Sequence, residues 1–282
     1  METEPTDLRE LTGLKTFSDL RKILDMVGER TSNVYYFPLL QPAKAPRSLC
    51  LADELFLTLI KLYKNYSFVE LGQRFCISVA DAASIFITWI NLLYCVFDEL
   101  DLALYHTRLM GTRFVRCKEE LQSIVIHCVE IRILKPKNHH LQQLTYRHLG
   151  EYTVKVLIGV CACSTVVFVS KAHGGSISCE VIFERSKFPK YLDGNYSLHR
   201  RGDLKKKADF GILRKHFQNH FHIFASNKCA NGCLSLDTAL VTSLTGFFGI
   251  LCDQLCTSDM SFAHRIICVC FMIANIIFGH IP

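Results

Sequence analysis

The chain has 282 residues, which is enough for one large domain or two smaller ones. Half of the residues are hydrophobic and 11% are aromatic, with 7 Pro and 15 Gly, so fibrous and intrinsically disordered classes are excluded. The net charge is +6, but residues 181–228 carry 11 Lys and Arg against 4 Asp and Glu, which leaves the rest of the chain nearly neutral. This basic stretch indicates either a solvated surface or a footprint for nucleic acid, acidic protein or anionic lipid.

The 14 cysteines are expected to be reduced thiols that pack as small apolar side chains. The first ten residues are polar and acidic and lack the basic and apolar regions of a signal peptide, so we expect a nuclear or cytoplasmic protein that is not secreted. The most apolar run, residues 266–279, is shorter than the roughly 20 residues that a bilayer span requires. No membrane span is expected.

Residues 1–48 are predicted to be a helical arm and linker, because an amphipathic pattern precedes a connector rich in Pro. The pattern consists of apolar residues at helical spacing: Phe17, Leu20, Ile23, Leu24 and Met26.

Residues 49–112 are predicted to contain a helix-turn-helix. Ser67 with Glu70, and Ser78 with Asp81, have the spacing of helix N-caps, and residues 73–77 form a tight link between the two helices. In a DNA-binding version the second helix would read base edges. Its first two turns here contain Asp81 and no Arg, Lys, Asn or Gln, so its chemistry is poor for gripping DNA.

Residues 113–282 are predicted to form an α/β layer. Three β-branched runs at residues 123–131, 154–160 and 165–170 predict an antiparallel meander, and helical character returns at residues 179–188. The last 54 residues predict apolar helices and hold four charged side chains: Asp237, Asp253, Asp259 and Arg265.

Two sets of motifs resemble the transposases of the PIF/Harbinger type. The helical segments at residues 51–62, 67–75 and 78–90 resemble their helix-turn-helix region. The second set resembles their DDE superfamily endonuclease domain: Cys128-Val129-Glu130-Ile131, Lys135-Pro136, Gln143 to Tyr146, Thr153 to Gly159 and Gly174-Gly175. The resemblance implies a ribonuclease-H-like mixed sheet, with its first three strands antiparallel and helices flanking it, for residues 113–282.

The resemblance also implies three carboxylates that hold two divalent ions such as Mg²⁺ for phosphodiester cleavage. The positions that match this triad are His127, Arg200 and Asp237, although an ungapped alignment would choose Ala239 for the third. A histidine and an arginine replace two metal-binding acids. We therefore expect no catalysis and no cofactor.

Two alternatives to an inactive binding protein stay open. A shifted acidic set, Glu130, Asp203 and Asp237, would restore a metal-dependent nuclease, but Glu130 lies three residues from His127 along a strand and is expected on the opposite face. The other alternative is a decaying transposase without a maintained function.

Binding is expected at two places. The first is a group of basic residues that suits a DNA backbone or a nuclear import signal, and equally a solvated loop: Arg200, Arg201, Lys205, Lys206 and Lys207. The second is a protein partner on the N-terminal helical part. The spacing of His216, His220, Cys229 and Cys233 also allows a structural zinc site, although chance clustering is the simpler explanation in a chain with so many His and Cys.

Overall fold

The computed structural model of the chain describes residues 5–33, 36, 49–99, 123–147, 150–161, 165–186, 196–200, 220–225 and 245–278. The chain divides into two compact units. The first comprises Met1–Glu99, Gly246–Asp253 and Arg265–Pro282, and the second comprises Leu100–Thr245 and Gln254–His264. The first unit therefore joins residues from both ends of the chain. The predicted domain boundaries after residues 48 and 112 adjoin residues outside the described set and stay a prediction.

The order of the elements along the described residues is helical first and mixed afterwards. The helices are α1 (Pro5–Thr12), α2 (Phe17–Val27), α3 (Leu51–Lys64), α4 (Phe68–Phe75), α5 (Val79–Glu99), α6 (His139–Thr145), α7 (Cys179–Arg185), α8 (Gly249–Cys252) and α9 (Met260–Ile277). The strands are β1 (Ser123–Arg132), β2 (Thr153–Cys161), β3 (Val166–Val169), β4 (His173–Gly174), β5 (Tyr196–Arg200) and β6 (His220–Ala225). The α/β class and the helical N-terminal region are as predicted.

The helix-turn-helix begins with side-chain caps in the first unit. Ser67 Oγ accepts from the amide of Glu70 at 3.2 Å, and the Glu70 carboxylate accepts from the amide of Ser67 at 2.6 Å. Ser78 Oγ accepts from the amide of Asp81 at 3.0 Å at the start of α5. Both predicted N-caps are confirmed, and each satisfies an amide that the first turn of a helix leaves without an intrahelical partner.

The link between α4 and α5 turns sharply at the end of α4. Cys76 adopts a left-handed conformation with φ 55°, and the amide of Ile77 donates to the carbonyl of Gly72 at 3.0 Å. A Cβ atom on Gly72 would lie 2.9 Å from the carbonyl oxygen of Ile77. The turn can close this tightly because position 72 has no side chain.

A buried polar cluster lies in the core of the first unit. Trp89, which is 1% exposed, donates from Nε1 to one carboxylate oxygen of Glu54 at 2.8 Å, and the Tyr36 hydroxyl donates to the other at 2.6 Å. Burial of a carboxylate costs free energy because the group loses its hydration. Here, hydrogen bonds from two donors replace that hydration. Trp89 is therefore a core residue, as the sequence predicted, and it also supplies a donor.

The C-terminal segments belong to the first unit through contacts with its helices. The ring of Phe247 lies 4.9 Å from that of Tyr63, and Gly13 approaches Phe247 so closely that a Cβ atom there would meet it at 2.5 Å. The Asn65 amide donates to the Asp253 carboxylate at 3.2 Å. These contacts explain why residues near both termini form one core.

The sheet of the second unit has the strand order β3-β2-β1-β6-β5, with β4 also paired to β2. All named pairs are antiparallel, so the predicted meander of β1, β2 and β3 is confirmed. Outside the named strands, the described residues also form an isolated parallel bridge between Ile133 and Leu255. The helix predicted at residues 179–188 is α7, which ends at Arg185.

The chain crosses itself closely beside β2. A Cβ atom on Gly174 in β4 would lie 2.2 Å from the carbonyl oxygen of Leu144 in α6, so only glycine fits where these two backbones meet. The amide of Gly175 donates to the carbonyl of Thr153 at 2.9 Å. The glycine pair thus allows α6 to lie close to the start of β2.

Two helices are long and apolar enough to cross a membrane by length and composition. They are Val79–Glu99 and Met260–Ile277, and 44% and 72% of their apolar windows are buried within the structure. Buried core helices meet the same criteria. The expectation that no segment spans a membrane stays a prediction.

Candidate functional site

His127 lies in the middle of an unbroken strand. On β1 it is paired with Ile158 of β2 on one side and with His220 of β6 on the other. The register between β1 and β2 runs without a shift from Ile124 to Arg132. The His127 side chain is 4% exposed, so the position that matches the first family carboxylate holds a buried imidazole.

Glu130 lies on the opposite face of β1 from His127, because side chains alternate along a regular strand. Its carboxylate accepts from the Thr153 hydroxyl at 2.6 Å and forms an ion pair with Arg147. No bulge returns Glu130 to the face of His127. Glu130 therefore makes structural contacts on the face of β1 opposite His127, as the strand periodicity predicted.

Arg200 is the last residue of β5, at the edge of the described sheet. It pairs with Phe221 of β6, which pairs in turn with Ile126 of β1. Across the sheet, Arg200 is therefore level with Ile126, the residue next to His127, and β6 lies between the two strands. The topology thus places the backbones of the two positions in adjacent rows of the sheet.

The remaining predicted site residues lie outside the described residues: Arg201, Asp203, Lys205, Lys206, Lys207, His216, Cys229, Cys233 and Asp237. The basic segment and the third family acid stay predictions for this reason. Of the proposed zinc set, only His220 is placed, at the start of β6 opposite His127. The sequence did not suggest this pairing, because strand register is a long-range property.

Among the described residues, the two positions that the resemblance aligns with family acids do not fit a pair of Mg²⁺ ions. Mg²⁺ requires oxygen ligands in near-octahedral geometry, whereas the first position supplies a buried imidazole and the second an arginine. The oxygens of Glu130 are on the other face of β1. Among residues whose side chains the structure describes, no group of three or more His, Cys, Asp and Glu is arranged to hold a metal ion.

The helix-turn-helix carries more acidic than basic side chains, and its exposed surface is partly apolar. Val69 on α4 and Val79 at the start of α5 are 52% and 47% exposed, and Asp81 is also exposed. Over its whole length α5 has three acidic residues and neither Lys nor Arg. A helix that enters the major groove would need cations or amide side chains at these positions.

Residues 47–99 match the family model described as the helix-turn-helix of DDE superfamily endonuclease. Residues 126–211 match the DDE superfamily endonuclease model, so the second match includes both His127 and Arg200. Searches of curated proteins and of solved structures gave no match. The helix-turn-helix match precedes the endonuclease match along the chain. This order agrees with a helical region followed by a sheet whose first three strands are antiparallel. The chain thus contains a region of the DDE superfamily endonuclease type, preceded by the helix-turn-helix region of the same superfamily.

Proposed function

We propose that this protein is a catalytically inactive relative of the Harbinger-type transposases and acts by binding. The observation that carries the proposal is the burial of His127, which the resemblance aligns with the first metal-binding carboxylate, on a regular strand whose nearest acid, Glu130, lies on the opposite face. Without oxygen ligands at this position, an ion that stabilises the attacking and leaving oxygens has nothing to hold it.

Nicking of supercoiled DNA tests the loss of catalysis. Purified full-length protein is incubated with plasmid and Mg²⁺ or Mn²⁺, beside His127→Ala and Glu130→Gln prepared in the same way. We expect all three proteins to give the same background, because neither side chain serves a metal site. Nicking by the wild type that is lost in either variant would overturn the proposal, and loss in Glu130→Gln would favour the nuclease with a shifted acidic set.

Weak, sequence-independent DNA binding is the first proposed activity. The supporting features are the basic residues Arg200, Arg201 and Lys205 to Lys207 and the lack of base-reading side chains at the start of α5. A nuclear location is part of the same proposal. For binding of this kind, the logarithm of the binding constant should fall linearly with the logarithm of the salt concentration, by about 0.9 per neutralised phosphate.

Fluorescence anisotropy with labelled duplexes tests this activity. Replacing Lys205, Lys206 and Lys207 together by Ala should reduce the salt slope, whereas Lys64→Ala, an exposed lysine at the end of α3, should leave it unchanged. Equal affinities for unrelated duplexes are expected. A wild type with no measurable affinity would leave protein binding through the N-terminal helices, supported by the exposed Val69 and Val79, as the remaining proposed activity.

A chain without a maintained function makes a different prediction. Relaxed selection would not preserve the cooperative packing of an apolar core. Cooperative thermal unfolding of soluble protein therefore supports a maintained binding protein, and an aggregated or non-cooperative product supports decay.

A further inference from the structure

Two cysteine thiols that the family site does not use meet in the second unit. Cys128 lies on β1 next to His127, and its side chain therefore points to the other face of the sheet. Cys179 is the first residue of α7. The two thiols are hydrogen-bonded to each other, both are free and both are partly exposed. The two thiols are therefore neighbours in a part of the second unit that is not fully buried.

Lys155 of β2 holds the two elements that carry these thiols together. Its register partner is Glu130, two positions from Cys128 and on the same face of β1. Its ammonium group donates to the carbonyl of Ile177 at 3.1 Å, immediately before the Ser178 cap of α7. The chain leading into α7 is thus fixed to the strand beside Cys128.

The environment makes one of the two thiols acidic. The hydrogen bond from Cys128 lowers the pKa of Cys179 to about 7, and the Lys155 ammonium lowers it further against the opposing effect of burial. The same hydrogen bond and burial raise the pKa of Cys128. Near neutral pH Cys179 is therefore partly a thiolate, which is the form of cysteine that attacks oxidants and disulfides.

We propose that Cys128 and Cys179 form a peroxide-reactive dithiol that closes into a reversible disulfide between β1 and the start of α7. The Cys179 thiolate attacks one oxygen of hydrogen peroxide, which forms a sulfenic acid and releases water after protonation. The Cys128 thiol then displaces the sulfenic oxygen as a second water while the S–S bond forms. Two thiols lose two electrons and two protons, and one peroxide is reduced to two water molecules.

Other cysteines of the chain provide a contrast. Burial raises the pKa of Cys268 to about 12 and also raises that of Cys270, so these two stay thiols at neutral pH and react slowly. Cys76 is exposed at the end of α4, in the first unit. A selective reaction at the pair would therefore leave the Cys268 and Cys270 thiols unmodified.

Peptide mapping of the full-length protein tests the disulfide. The protein is treated with graded hydrogen peroxide, its remaining thiols are alkylated, and the non-reduced digest is analysed by mass spectrometry. We expect a cross-linked peptide that contains Cys128 and Cys179, lighter by two hydrogens than the sum of its parts and separated by dithiothreitol. It should be lost in Cys128→Ala and unchanged in Cys76→Ser.

A second measurement does not depend on how the variants fold. In the wild type, the rate of alkylation of Cys179 by iodoacetamide should rise with pH and reach half of its limit near pH 7, well below the midpoint for Cys268. The proposal is wrong if peroxide converts Cys179 to a sulfinic acid without a link to Cys128. It is equally wrong if both thiols stay alkylatable at peroxide concentrations that oxidise Cys76.

Discussion

The carboxylate of Glu54 is buried among apolar helices and depends on two donors, Trp89 Nε1 and the Tyr36 hydroxyl. Glu54→Gln keeps the shape of the side chain but replaces one acceptor oxygen by an NH₂ group. One of the two donors then faces another donor. We expect the free energy of unfolding to fall by about 1–3 kcal/mol, the usual effect of an unsatisfied buried polar group.

Equilibrium denaturation followed by tryptophan fluorescence measures this effect, because Trp89 is the single Trp of the chain and reports on the first unit alone. Glu10→Gln, at an exposed position on α1, is the matched control and should leave the midpoint unchanged. Equal midpoints for Glu54→Gln and the wild type would show that the cluster contributes nothing to stability.

Glu70 makes the stability of the helix-turn-helix depend on pH. Hydrogen bonds to Ser67 lower the pKa of its carboxyl below the usual value of 4.5. A carboxyl whose pKa is lowered by folding stabilises the protein above its unfolded pKa, and this contribution is lost as pH falls through the folded pKa. The melting temperature of the wild type should therefore exceed that of Glu70→Gln at pH 7.

The difference between wild type and Glu70→Gln should shrink as pH is lowered below about 4.5, when the carboxylate becomes protonated. Thermal melts at a series of pH values measure it. Glu29→Gln, at another exposed glutamate, should follow the wild type throughout. A difference that grows toward acid pH would contradict the capping role.

Single residues of the site were predictable where the physics is local. The caps at Ser67 and Ser78 follow from spacing, and the opposite faces of His127 and Glu130 follow from the two-residue period of a strand. The contact between Cys128 and Cys179 did not follow, because it joins a strand to a helix far along the chain. Only the folded chain places the two thiols together.

At the scale of elements, the turn of the helix-turn-helix depends on Gly72. Gly72→Ala would place a Cβ atom 2.9 Å from the carbonyl oxygen of Ile77, which belongs to the backbone and cannot rotate away. We expect α4 and the turn to shift, at a cost of about 1–3 kcal/mol, typical of overpacking. The midpoint of denaturant unfolding, measured by fluorescence of Trp89, should fall accordingly.

Gly246→Ala is the matched control, since a Cβ atom at that position has no neighbour within 4 Å. It lies in the same unit and should unfold like the wild type. If Gly72→Ala is as stable as Gly246→Ala, the link between α4 and α5 is more adaptable than its close approach indicates.

The elements themselves were largely predictable, and their pairing only in part. Runs of β-branched residues separated by polar segments predicted β1, β2 and β3, because strands that follow one another along the chain tend to pair in an antiparallel meander. The pairing of β1 with β6 joins residues far apart in sequence. Hydrophobic periodicity carries no information on which distant strands pair. The pairing of His127 with His220, and of Arg200 with Phe221, therefore could not be predicted from the sequence.

At the scale of the whole molecule, the first unit is built from both ends of the chain. The apolar composition of the last 54 residues predicted buried helices but not which core they complete. Specific side-chain contacts join α9 to α5. Arg265 of α9 donates to Asn91 of α5, and its guanidinium lies 5.8 Å from the ring centre of Tyr94. Such long-range contacts leave no trace in local sequence patterns.

Removal of residues 258–282 should therefore unfold the first unit, although the helix-turn-helix at residues 51–99 stays intact in sequence. The deletion removes ten buried apolar side chains between Ile266 and Ile277. Burial of one large aliphatic side chain contributes about 1.5–3 kcal/mol, and a whole domain is stable by only about 5–15 kcal/mol. The emission of Trp89 should shift to the red, and cooperative unfolding of this unit should disappear.

Arg265→Ala is the graded control for this deletion. It keeps the apolar side chains of α9 and loses only the contacts with Asn91 and Tyr94, so it should stay folded with a loss of about 1.5–3 kcal/mol, the range of a hydrogen bond to a charged group. A truncated chain that retains the wild-type emission and a cooperative transition would show that the N-terminal helices fold alone. In that case the N-terminal helices would form a domain without the C-terminal residues of the first unit.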